Sequence, residues 1–209
     1  MREKLPSVYS TEEITIIGST INRKRLSGKR FYTAFLLGAI LGLRRSDIIN
    51  LTFSNIDWEH NTISLSQEKT KKRFELPLTK EVGSALIDYL KNERKNDCAD
   101  KHVFLTLKPP FQKMSVNTLY VGIQTAIWAS GVNVERRHHG IHAMRHSLAT
   151  RLLKDGQPLP MIANVLGHSS SNSTKSYLRV DMDGLKKCLL PIPPVPLTFY
   201  EQKGGIFYE

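Results

Sequence analysis

Thr62-Ile63-Ser64-Leu65-Ser66-Gln67-Glu68-Lys69-Thr70-Lys71-Lys72-Arg73-Phe74-Glu75-Leu76-Pro77-Leu78 is the stretch that decides the fold class. Ile63 and Leu65 alternate with Thr62, Ser64 and Ser66, and Phe74, Leu76 and Leu78 repeat the pattern. A period of two puts all the apolar side chains on one face, as a half-buried strand requires. The run between them, Glu68 to Arg73, holds Lys69, Lys71, Lys72 and Arg73. Such a cationic run predicts a hairpin loop with its charges in solvent.

Outward from this hairpin the apolar period is helical. Ser10-Thr11-Glu12-Glu13 has the spacing of a capping box and opens a helix to about Asn22. Arg23-Lys24-Arg25 forms a basic turn ending near Gly28. Phe31, Phe35, Leu36, Ala39 and Ile40 predict a largely buried helix from Lys29 to Leu41, broken by Gly42-Leu43. Ser46 is expected to cap a short helix, Asp47 to Leu51, and Asn55 to Trp58 reads as a turn. Downstream, helices are expected from Thr79 through Leu90, from Ser115 to about Ser130, from Gly140 to Lys154 and from Pro158 to Leu166. Gly156 and Gly167 end the last two. The expected class is α+β, mostly α-helical with one small antiparallel β-sheet. Pro191 to Pro196 cannot be helix and reads as an extended linker. Thr198 to Glu209 reads as a small hairpin around Gly204-Gly205.

The chain has 209 residues, 40% of them hydrophobic, which suits a folded globular protein with one sizeable core or two small ones. Its formal net charge is +11. A surplus of that size favours a polyanionic partner, because each neutralised phosphate releases condensed counterions. A merely basic protein is the plainer alternative on charge alone. The cysteines are Cys98 and Cys188, too few for a disulfide framework or a cysteine-spaced zinc site. No apolar signal core opens the chain, and the run around Ala39-Ile40-Leu41 is too short to span a bilayer. The expected location is the cytoplasm.

The residues that carry chemistry lie near the end of the helical stretch. His142-Ala143-Met144-Arg145-His146 is followed by Leu166-Gly167-His168 and then by Tyr177. His142 and Arg145 are three apart and share a helix face. Taken singly, each has a structural explanation. A histidine at position 142 suits a hydrogen-bonded surface, and an arginine at 145 suits a helix salt bridge. The Lys69–Arg73 run suits a solvated loop, Tyr177 a half-buried core position, and Leu166-Gly167-His168 a helix C-terminus. As a set they supply what attack of a phenol on a phosphodiester needs. The phenol must shed a proton from a group whose ordinary pKa is about 10. The phosphate oxygens gain charge that planar, always-charged guanidinium groups neutralise. The departing oxygen needs an acid, a role lysine can fill. Arg44 and Arg45, at the break after the buried helix, can point into a cleft.

These segments resemble the catalytic domain of the tyrosine recombinase (phage integrase) family. Leu41-Gly42-Leu43-Arg44-Arg45-Ser46-Asp47-Ile48 resembles the family's T-G-L-R-x-S-E-[IL] segment. Lys69 through Leu78 resembles the β-hairpin that bears the family's lysine. His142 to His146 matches H-x-x-R-H, Leu166 to His168 matches L-G-H, and Thr174-Lys175-Ser176-Tyr177 matches T-x-x-Y. The likeness extends over about residues 5–185.

The resemblance implies a site-specific DNA recombinase, an integrase or transposase of a mobile element. Tyr177 would be the nucleophile that forms a 3′-phosphotyrosyl bond and frees a 5′-hydroxyl. Arg44 and Arg145 would clamp the scissile phosphate, and Lys69 would be the general acid. His142 would be the general base or a proton-sharing partner, and His168 would donate to the phosphate. Asp47 would brace the arginines. Lys71, Lys72, Arg73, Arg136 and Arg137 are expected on the DNA backbone. No cofactor or metal is expected, because one phosphoester replaces another.

Residues 1–190 are thus expected to form the catalytic domain and residues 191–209 a Pro-rich linker and tail. The separate N-terminal core-binding domain usual in the family is expected to be absent from this chain. The expected partner is double-stranded DNA, bound by a homotetramer with possible exchange of a C-terminal segment such as Gly184 to Leu190. A tail packed on its own domain is the plainer alternative. Leu41 and Asp47 stand where the family pattern has threonine and glutamate. Rival readings are a catalytically inactive DNA-binding regulator on the same fold, a type IB topoisomerase, and a metal enzyme built on His138, His139, His142 and His146.

Overall fold

A computed structural model describes residues 8–66, 73–95, 98–135 and 137–167. Ser10 caps the first helix, α1 (Thr11–Thr20), with both bonds of the expected capping box. The Glu13 backbone N–H donates to Ser10 Oγ and the Ser10 N–H donates to Glu13 Oε2. The next helix, α2 (Gly28–Ala39), is buried on nearly every side, as its apolar and small residues require. It packs against α1, α3 (Arg45–Ile49), α4 (Lys80–Asn92), α5 (Val116–Ala129) and α6 (Ile141–Lys154). A last short helix, α7 (Leu159–Val165), packs on α6. Among the described residues no helix is long and apolar enough to cross a membrane.

Small residues set how closely these helices approach. A methyl group on Gly38 of α2 would stand 2.9 Å from Ile141 Cδ1 of α6. One on Gly122 of α5 would stand 2.2 Å from the Phe31 ring of α2. Both distances are inside contact range, so α2 seats its neighbours only because those positions carry no side chain. The core runs continuously from Tyr9 and Ile17 through Phe35, Leu37 and Leu43 to Phe104, Ile127 and Met144. Leu148, Ala149, Ile162 and Leu166 form a satellite core between α6 and α7.

The sheet has three antiparallel strands in the order β1 (Ile56–Asp57), β2 (Thr62–Ser66), β3 (Arg73–Pro77). Ile63 pairs with Leu76 and Leu65 with Phe74, so the alternating residues share one face. On the opposite face Ser64 Oγ donates to Glu75 Oε1 at 3.1 Å. Ser66 pairs with Arg73 at the end of the ladder, where the Lys69 segment begins and ends. The class is as expected: α-rich with one small antiparallel sheet.

Two local expectations are corrected. Ile56 and Asp57 were expected in a turn but form the edge strand β1, because Ile56 buries against the sheet opposite Ile63. The short third helix begins earlier than Ser46 implied. Arg44 is its cap residue, and the Asp47 carboxylate accepts from the Arg44 backbone N–H at 3.2 Å. The expected linker and hairpin after Pro191 lie outside the described residues.

Candidate active site

The C-terminal end of α7 organises the site. The last carbonyls of a helix have no partner within it and carry the negative end of its dipole. Two arginines supply the partners. Arg145, on α6, reaches across and donates from Nη2 to the carbonyl of Leu166 and from Nη1 to the carbonyl of Gly42. Arg44, at the start of α3, donates from Nη2 to the carbonyl of Gly167 at 3.2 Å. Consecutive carbonyls therefore hold the two guanidinium groups at one corner.

The two arginines differ in burial. Arg145 is 3% exposed, and its hydrogen bonds to carbonyls offset the cost of removing a guanidinium from water. The Arg44 side chain is 38% exposed and faces outward. Asp47 fixes the backbone of Arg44 and places its carboxylate 3.9 Å from Arg44 Nη1. Both contacts tie Asp47 to Arg44.

Gly42 makes the corner possible. Its φ of 66° is left-handed, a conformation that favours glycine. A methyl group there would lie 2.9 Å from Leu148 Cδ2 and 2.9 Å from Leu166 Cδ2. The α2–α3 turn thus lies directly on α6 and α7, with the Gly42 carbonyl turned to Arg145. The sequence marks Gly42 only as a helix break. The backbone sign and the close approach emerge only in three dimensions.

His142 sits in the first turn of α6 and is exposed. Crowding around the rest of the ring lowers its pKa below the ordinary imidazole value, and the charges of Arg145, Arg45, His138 and Arg44 lower it further. The ring is therefore neutral, with a lone pair available, at physiological pH. One turn along, the His146 ring stands at 88° to that of His142, with centroids 4.4 Å apart. Burial, followed by His142, Arg145 and His138, pushes His146 down to about 4. Arg45 is exposed and close enough to bias His142.

Arg44, Asp47, His142 and Arg145 are thus brought together. Lys69, Lys71, Lys72, Arg136, His168 and Tyr177 lie outside the described residues. Arg73 is exposed at the first position of β3, beside the Lys69 segment. Arg137, expected on the DNA backbone, has a carboxylate partner within the fold. Its Nη1 donates to both carboxylate oxygens of Glu13, at 2.8 and 2.9 Å, and its guanidinium lies 5.0 Å from the centre of the Tyr9 ring. This half-buried ion pair ties the loop before α6 to α1. Among the described residues no three His, Cys, Asp or Glu side chains cluster as a metal site.

Three comparisons give this geometry its context. A protein of Sinorhizobium fredii named as an integrase/recombinase, y4gC, is 32% identical over 190 residues, covering 90% of this chain and 97% of that one. Tyrosine recombinase XerC of Bacillus pumilus is 28% identical over 199 residues, covering 92% of this chain and 63% of that one. The crystal structure of the XerH site-specific recombinase bound to palindromic difH substrate, a post-cleavage complex, superposes with a TM-score of 0.75 at 22% identity. That superposition covers 88% of this chain and 53% of XerH, so the chain spans nearly all of y4gC but under two thirds of XerC and XerH. The sequence pattern of the phage integrase family matches residues 10–183. These relatives point to a tyrosine-type site-specific recombinase and not to a topoisomerase or an inactive regulator. The chain belongs to the phage integrase family.

Proposed function

We propose that this protein cuts and rejoins double-stranded DNA at a specific site through a covalent phosphotyrosine, as the integrase of a mobile element. The observation that carries this reading is the corner where Arg44 and Arg145 hold adjacent carbonyls at the end of α7. His142 stands one turn along α6 from Arg145, and the chain continues directly from that corner to His168 and Tyr177.

A phosphate at this corner meets preorganised positive charge. The guanidinium groups need little reorganisation as the phosphorus becomes five-coordinate, so they stabilise the transition state more than the ground state. Tyr177 Oη attacks the phosphorus, and its proton passes to His142, which is neutral and able to accept it. The P–O5′ bond breaks as the P–Oη bond forms, and Lys69 protonates the leaving 5′ oxygen. His168 donates to a non-bridging oxygen. Attack by a different 5′-hydroxyl reverses each step, so phosphoester bonds are conserved and no cofactor is consumed.

Lys71, Lys72, Arg73 and Arg136 contact the DNA backbone in this reading, and Asp47 holds Arg44 in place. Strand exchange joins two sites, so the assembly is a homotetramer on DNA in which a C-terminal segment passes between protomers. The XerH complex, a bound recombinase after cleavage, supports DNA as the partner.

The test is trapping on a nicked suicide substrate carrying the element's terminal sequence. Wild-type protein forms a covalent protein–DNA adduct stable to denaturant. Tyr177→Phe forms none and binds the same DNA with affinity within about twofold, because only the attacking oxygen is lost. An adduct formed by Tyr177→Phe, or none by wild type on its own sites, overturns the reading.

A further inference from the structure

The two histidines of α6 stand in an arrangement that the proposed chemistry does not use in full. His142 faces outward, beside Arg145. His146, one turn later, is half-buried beneath it, and its ring meets the His142 ring edge to face at 4.4 Å. Residues four apart on a helix are neighbours, so the backbone of α6 fixes this pair without help from any loop. Arg145, between them in sequence, is itself locked by the Gly42 and Leu166 carbonyls.

We infer that His146 is a positioning residue: its ring forms the wall that sets the orientation and limits the hydration of the His142 ring at the scissile phosphate. This rests on the role proposed for His142. The wall works because an imidazole of free rotation would sample several rotamers, whereas an edge-to-face neighbour favours one. It also withholds water from one side of the ring, which favours the neutral, proton-accepting form.

The charged surroundings require the wall itself to stay neutral. The groups that press on His146 include His142, Arg145 and His138. Those facing His142 are Arg145 on α6, Arg44 and Arg45 at the start of α3, and His138 in the preceding loop. All of these are cationic or become so on protonation, and each opposes a second imidazolium. A protonated His146 would repel His142 and Arg145. A neutral ring of any kind would serve.

That distinction gives the test. His142 is followed by nuclear magnetic resonance through its ring C–H signals as pH is varied, in wild type, His146→Phe and His146→Ala. The same proteins are assayed for adduct formation across pH, with thermal melts to confirm folding. In wild type and His146→Phe, His142 titrates below the ordinary imidazole range, and cleavage rates agree within about threefold. In His146→Ala, the His142 titration moves up toward pH 6.5. Cleavage then falls by roughly tenfold at neutral pH, and the acid limb of its profile moves up with the titration.

An unchanged His142 titration in folded His146→Ala overturns the inference. So does a His146→Phe protein that behaves like His146→Ala, since a specific hydrogen bond, not a wall, would then be at work. The titration needs no cleavage. Failure of wild type to form an adduct would therefore count against the proposed reaction and leave this readout intact.

Discussion

Arg44 and Gly167 are joined by a 3.2 Å hydrogen bond from guanidinium Nη2 to the backbone carbonyl that directly precedes His168. The arginine of the first motif and the residue before the last histidine are thus held together although 123 positions apart. Arg145 makes the parallel bond to Leu166 from a third element. The geometry of the phosphate corner therefore depends on the end of α7 together with the α2–α3 turn.

The two arginines separate catalysis from stability. Arg44→Ala removes an outward-facing charge, so it lowers cleavage by about 10²-fold or more while costing under about 1 kcal/mol of stability. Arg145→Ala leaves the buried Gly42 and Leu166 carbonyls short of partners and opens a cavity. It lowers cleavage comparably and also costs roughly 2–5 kcal/mol. Single-turnover cleavage and urea unfolding measure the two effects. Equal stability losses in the two variants would contradict the assignment of Arg145 as the buried anchor.

Gly42→Ala strains the same corner from the other side. The left-handed backbone costs a side chain roughly 1–2 kcal/mol, and the added methyl meets Leu148 and Leu166 at 2.9 Å. A total loss of roughly 2–4 kcal/mol is expected, with slower cleavage as the Gly42 carbonyl shifts away from Arg145. A denaturation midpoint indistinguishable from wild type would show that the turn can relax.

DNA binding distinguishes Arg73 from Arg137. Arg73 is exposed at the base of the cationic hairpin, so Arg73→Ala lowers the slope of log affinity against log salt by about one unit. Arg137 is committed to Glu13 and Tyr9. Arg137→Ala leaves the slope unchanged and costs on the order of 1 kcal/mol of stability. Filter binding or anisotropy over a salt series reads the slopes, and a reduced slope for Arg137→Ala would place its charge on DNA after all.

Stability falls on the acid side through the histidine pair. The unfolded chain takes up a proton on residue 146 near pH 6.5, the folded protein only at about 4. Between those values the unfolded state binds more protons, so stability rises with pH. The contribution is complete above pH 6.5 and is lost as pH drops toward 4, by up to roughly 3 kcal/mol. His142, also lowered, acts in the same direction. His146→Phe removes this group, so its stability changes less steeply over that interval. Urea midpoints at a series of pH values test this, and parallel curves for the two proteins would refute it.

Much of the fold is legible in residue order because its causes are local. The Ser10–Glu13 capping box and the alternation through Ile63, Leu65, Leu76 and Leu78 each act within one element. A long-range partner overrides or hides behind the local signal at three positions. Ile56 looks like part of a turn until Ile63 lies opposite it. Ser46 looks like a cap until Asp47 takes the Arg44 N–H. Nothing near Arg137 in sequence announces its ion-pair partner Glu13.

Sequence alone determined which elements form and which chemical groups are available, since periodicity, capping and side-chain chemistry are properties of short stretches. It also fixed that His142, Arg145 and His146 share one helix face, because helical spacing demands it. The tertiary structure decided what holds those groups. A left-handed Gly42, a close contact between the α2–α3 turn and the α6–α7 pair, and the carbonyls of Leu166 and Gly167 at the end of α7 together aim Arg145 and Arg44. Those carbonyls must be satisfied once α7 is packed and water is excluded, and no reading of neighbours along the chain reveals which side chain will do it.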